Sequence, residues 1–219
     1  MIRPSSKALF GLALSFILLQ IVSLFKVNAI LGSQCAFFSL SNSVLPLIGV
    51  WCGLPLAIGG LVLRGLLKGL LFTDTIFTPL AYHIPTICAS AYWSAENRAI
   101  KILIPLICIA LFLAHPVGAQ AWWYSCYWFI PMVIQLIPVR SLFLTAFGTT
   151  FTAHAVGSVL WIYCLSMTVP MFAALMPIVI IERLIYASGM VLIYYCGNWF
   201  GEKLIKIKSF AIGLKGSMA

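Results

Sequence analysis

Charge is what this chain has least of. Only 8% of its 219 residues are charged, and four are Asp or Glu. A soluble domain is usually about a quarter charged, so a water-covered surface is excluded. With 63% hydrophobic residues and a mean hydropathy of +1.11, the composition reads as a polytopic inner-membrane protein. The expected fold is all-α: a single integral membrane helix bundle over residues 1–219, with no attached soluble domain.

Other absences narrow the chemistry. The chain has no G-x-S-x-G, Walker loop, dinucleotide fingerprint or H-E-x-x-H. It therefore reads as a non-enzyme that cannot drive primary transport alone. No C-x-x-C pair occurs among Cys35, Cys52, Cys88, Cys108, Cys126, Cys164 and Cys196. Six of these fall in apolar stretches, where a free thiol behaves as a small hydrophobe, so no metal, cofactor or disulfide framework is expected. The net charge of +9 is carried by basic residues set singly between apolar runs. That is the pattern of topology signals and not of a nucleic-acid face.

Apolar runs are abundant, and they define six expected spans at 8–25, 44–72, 100–114, 121–138, 142–166 and 171–200. The first could also be a signal peptide, since Arg3 and Lys7 give a basic start and Val27-Asn28-Ala29 is weakly cleavage-like. Its apolar core is long and Lys26 sits just before that site, which favours a retained helix. Residues 27–43 read as a loop. Gly53, Pro55, Gly59 and Gly60 predict a break or kink in the second span. Residues 75–93 read as a re-entrant or half-crossing segment, and 201–219 as a basic tail. Under this arrangement positive-inside counting puts both termini in the cytoplasm and leaves only Lys26 outside, with Arg183 inside the membrane.

Within the charge-free run 141–181 lies a polar strip, Thr149 to Ser158. Thr150, His154, Gly157, Ser158 and Trp161 share one helical face, and Ala153-x-x-x-Gly157 offers a close-packing face beside it. Ionisable groups in a bilayer are functional candidates by default. His154 and Glu182 each lie twelve residues from the outer ends of their helices, at Ser166 and Pro170. Both are thus expected roughly 18 Å deep, with Glu182 able to pair with His154. Glu182 and Arg183, adjacent and about 100° apart, are not expected to pair with each other. The bland alternatives are helix packing for the strip and a structural ion pair for the charges. Trp122, Trp123, Tyr124, Tyr127 and Trp128 read as an interfacial belt, or as a stacking surface for a flat substrate. Gly65-Leu66-Leu67-Lys68-Gly69 is a small-xxx-small contact.

The segment from Ser41-Asn42-Ser43-Val44-Leu45-Pro46 through Trp51-Cys52-Gly53-Leu54-Pro55 to Gly59-Gly60 resembles the early helices of the substrate-binding S components of energy-coupling factor (ECF) transporters. The resemblance covers about a third of the chain. It implies a six-helix, basic-tailed subunit whose outer loop, here Val27 to Ser43, closes over a vitamin or related micronutrient. It also implies two kinds of partner, a transmembrane coupling subunit and cytoplasmic ATPases. Family first helices carry an Ala-x-x-x-Ala docking pattern, to which Gly11-Leu12-Ala13-Leu14-Ser15 is similar in kind. The expected function is therefore substrate binding for an importer. His154, Thr150, Ser158, Glu182, Arg183, Trp122 and Trp123 form the expected site, and Gly11, Ser15, Gly65 and Gly69 the docking contacts. Three alternatives stand beside it: a proton-coupled carrier using His154 and Glu182, an intramembrane acid–base enzyme on the same pair, and an assembly subunit that binds no small molecule.

Overall fold

The computed structural model describes residues 24, 26–29, 37–39, 43–72 and 83–217. Side chains at 26–29, 37–39, 68–69, 71–72 and 204–217 lie outside that description. So do the expected first span 8–25 apart from Leu24, with Gly11 and Ser15, and the first part of the 75–93 segment.

The described chain is helical apart from one short ribbon. Strands β1 (Lys26–Ala29) and β2 (Phe37–Ser39) pair antiparallel, with an irregularity between Lys26 and Asn28. The stretch expected as a loop thus carries a two-stranded antiparallel pairing, which gives the backbone polar groups of these strands partners. A 3-10 turn at Leu45–Leu47 leads into α1 (Ile48–Cys52). Gly53 then adopts φ 85° and ψ 148°, a conformation that favours glycine. It divides the expected 44–72 span into α1 and α2 (Leu54–Phe72). Pro55 is tolerated because the first turn of α2 needs no donor there. Helix α3 (Ile84–Ser94) is 11 residues long, about 16 Å, which is half a bilayer's hydrocarbon core.

Helix α4 (Arg98–Ala114) is followed by α5 (Pro116–Gln120), a seven-residue 3-10 helix (Trp122–Trp128) and α6 (Phe129–Leu136). The expected span 121–138 is therefore divided, seven residues of tighter, more extended 3-10 helix followed by eight of α-helix. At 2.0 Å per 3-10 residue and 1.5 Å per α residue, its two parts rise about 26 Å. Next come α7 (Leu142–Cys164) and α8 (Val169–Ser217). Both are long and apolar enough to cross a membrane, with mean hydropathies of 1.2 for Leu142–Cys164 and 1.8 for Val169–Lys203. Only 33% of the apolar window of α8 is buried, so most of its surface faces outward, as association with a membrane requires. The expected separate tail is absent as an element: α8 continues as one helix through 201–217.

Residue contacts fix the directions. Pro85 lies near Gly157 and Tyr92 packs on Gly148, so α3 runs antiparallel to α7. Arg183 reaches Thr150, while Ala187 joins Ala146 in one cluster, so α8 is antiparallel to α7 as well. One end of the bundle gathers Phe112, Tyr124, Trp128, Phe151 and Phe172. There Phe112 makes edge contacts with Trp128 at 5.0 Å and Phe172 at 5.2 Å. In lipid such packing acts through dispersion and shape, since apolar burial against another helix gains little over lipid. At the other end α3 is seated by hydrogen bonds. Ser90 donates to the Pro46 carbonyl at 3.1 Å, and Tyr92 to the Pro131 carbonyl at 2.8 Å. Gln135 in turn donates to the Tyr92 hydroxyl at 2.7 Å. Tyr92→Phe removes both bonds and is expected to lower stability by about 1–2 kcal/mol, read as an earlier unfolding midpoint in detergent.

Candidate functional site

The polar strip of α7 mostly satisfies itself. Thr149, Thr150 and Thr152 donate to the carbonyls of Thr145, Phe147 and Gly148 at 2.8, 2.8 and 2.9 Å. Back-bonding of this kind is the ordinary way a helix accommodates hydroxyls. Thr150 is thereby turned to its own backbone, and its carbonyl also accepts from Arg183 Nη1 at 3.4 Å. Gly157 has room for a side chain beside Pro85, 3.8 Å from its Cβ position. The tight helix contact is at Gly148 instead, where Tyr92 ring atoms stand 2.7 and 2.9 Å from a Cβ position.

Glu182 and Arg183 pair with each other, N to O 3.0 Å, both buried. This corrects the expectation that neighbours on a helix stay apart. The guanidinium stem is long enough to cross the 100° between them, and burial makes an unpaired carboxylate costly. Arg183 also lies 4.9 Å from the Tyr186 ring centroid, one turn along. Its guanidinium thus braces three groups: Glu182, the Thr150 carbonyl and an aromatic face.

The expected common depth of His154 and Glu182 shifts. Arg183 against Thr150, and Ala187 with Ala146, set an antiparallel register. In it Glu182 is level with Phe151, and His154 with Val179. The slip is three residues, about 4–5 Å. Its cause is the connection: α7 ends at Cys164 and α8 begins at Val169, so the helix ends are not where the apolar runs stop.

His154 instead meets aromatic rings. Its ring centroid is 5.5 Å from Tyr124 and 6.3 Å from Phe151. Its Nε2 is buried with no hydrogen-bond partner among the described residues. The same holds for Trp128 Nε1 and Arg183 Nε. Ser158 is buried and reaches toward the Tyr124 hydroxyl, which closes no hydrogen bond among the described residues. Trp161 packs against the same core. The cluster is rich in donors: Tyr124 O–H, Trp128 N–H and Arg183 N–H, with His154 able to give or accept. Such a set suits a small molecule bearing carbonyl or carboxylate oxygens.

The aromatic run divides. Trp122 is 59% exposed. Trp123 is half-buried and meets Tyr124 edge-on at 6.3 Å. Tyr124 and Trp128 are fully buried and belong to the His154 cluster. Tyr127 donates to the Met176 carbonyl of α8 at 2.9 Å. Gly65 is buried on α2, and Gly69 lies in the same helix. The chain matches no protein-family model, and neither a curated protein nor a solved structure is similar to it.

Proposed function

We propose that this chain is the membrane-embedded binding subunit of a small-molecule importer, of the kind that the S-component resemblance implies. It would cross the inner membrane six times with both termini in the cytoplasm. A vitamin or micronutrient would be bound by His154, Tyr124, Trp128, Ser158 and Arg183, with Trp123 beside them. One observation carries this reading: buried polar atoms without partners among the described residues, at His154, Tyr124, Trp128 and Arg183, cluster on α7, α8 and the 3-10 helix. Each unsatisfied polar group costs several kcal/mol in hydrocarbon, and a ligand's oxygens would remove that cost. The gathering of Arg98, Lys101 and Arg140 at one end supports a cytoplasmic assignment for that end. A coupling subunit and ATPases are then required partners, because this chain has no nucleotide-binding motif.

One observation favours a second reading, an assembly subunit without a ligand. The Glu182–Arg183 pair is satisfied within the chain, as a structural brace would be. Native purification with mass spectrometry of bound small molecules and proteins separates the two. Import predicts a retained ligand that His154→Ala releases about tenfold more readily, one lost hydrogen bond being worth about 1.5 kcal/mol. A folded protein with partner subunits and no ligand supports assembly.

A further inference from the structure

A cleft of about 510 Å³ opens where the α3–α4 junction meets the end of α6 and the start of α7. Three cations line it, Arg98, Lys101 and Arg140, against one carboxylate, Glu96. None of the three forms an ion pair among the described residues. Lys101 lies 5.6 Å from the Tyr92 ring centroid. Three cations with one carboxylate among them repel each other on balance, and an anion between them would reverse that.

The backbone adds to the same field. Helix α4, 17 residues, starts at Arg98, and its Asn97 cap accepts from the Ala99 N–H at 2.8 Å. Helix α7, 23 residues, starts beside Ser141, whose side chain caps nothing. Two helix N-termini therefore face one cavity, each with the positive end of its dipole. Ser141 and Thr145 line the wall at the α7 start.

The rest of the wall mixes the polar Ser94 and Gln135 with apolar side chains. Ile134, Ile137, Val139 and Leu144 form the apolar part of the rim, Val139 is 65% exposed, and Leu136, next to Ile137 in the chain, is 76% exposed. Cations inside an apolar rim, at one end of a membrane bundle, match a phospholipid: phosphate within, acyl chains along α6. We propose that this cleft is a binding site for a phosphate-bearing anion, with an anionic lipid headgroup as the form that its apolar rim favours. The site is separate from the His154 cluster and does not depend on what that cluster binds.

The test uses the full chain in phosphatidylcholine nanodiscs, with and without phosphatidylglycerol, and separately with added inorganic phosphate. Phosphatidylglycerol is expected to raise the melting temperature by about 4 °C or more. The triple variant Arg98→Gln/Lys101→Gln/Arg140→Gln should lose that rise, while Lys203→Gln keeps it. If the triple variant does not fold, Arg140→Gln alone should show a clearly smaller rise. An equal rise from inorganic phosphate in phosphatidylcholine discs, lost in the same variants, assigns the site to free phosphate. No rise from either additive, or an equal rise in wild type and cleft variants, overturns the proposal.

Discussion

Glu182→Leu is expected to destabilise the protein by about 3–5 kcal/mol, the usual result of breaking a buried ion pair from one side. The Arg183 guanidinium would keep its hold on the Thr150 carbonyl, at 3.4 Å, and on the Tyr186 ring. It would lose its neutralising carboxylate at 3.0 Å. Arg183→Leu should cost a similar amount, because the carboxylate is then left buried with a positive neighbour gone. The double variant Glu182→Leu/Arg183→Leu should recover most of the loss, since two apolar side chains suit that depth. Unfolding midpoints in detergent across this cycle give the coupling between the residues directly. Single variants as stable as wild type would mean that the buried pair contributes nothing to the stability of α8 in the bundle.

Gly148→Ala is the second large effect. In an exposed helix that change stabilises by up to about 1 kcal/mol. Here the added methyl would enter the Tyr92 ring, whose atoms lie 2.7 and 2.9 Å from its position. The ring cannot swing aside cheaply. Its hydroxyl is tied to Pro131 at 2.8 Å and to Gln135 at 2.7 Å, and the residue is fully buried. Overpacking of this kind costs about 1–3 kcal/mol, so the net sign is destabilising. Tyr92→Leu in the Gly148→Ala background should restore part of the loss, which thermal unfolding of the two variants would read. A stabilised Gly148→Ala protein would mean that the α3–α7 seam is looser than its geometry.

Helices α7 and α8 were legible in the sequence because uninterrupted apolar residues leave few other choices. The expected 142–166 and 171–200 runs differ from Leu142–Cys164 and the apolar part of α8 by only a few residues. Gly53 was legible too, as one of several candidate breaks, although its positive φ was not separable from the roles of Gly59 and Gly60. The site was less so. Pairing of Glu182 with Arg183 depends on side-chain reach, which the helical wheel omits. Helical register depends on where Leu165 to Thr168 leave the helix, and composition does not mark that point. Tyr124 and Trp128 sit in a run that reads uniformly as aromatic belt. Tyr124 and Trp128 are nevertheless fully buried while Trp122 is exposed, a division that composition alone does not mark. Gly148 carried a weak signal, a small residue directly before Thr149 and Thr150, outweighed by the more familiar Ala153-x-x-x-Gly157 spacing.

The unbroken length of α8 makes it a lever. From Glu182 to Ser217 it extends 35 residues, about 52 Å. With its fulcrum at the Arg183–Thr150 contact, a tilt of about 5° carries the far end through about 5 Å. A spectroscopic label near that end would therefore magnify small rearrangements around His154 that are too slight to see where they begin.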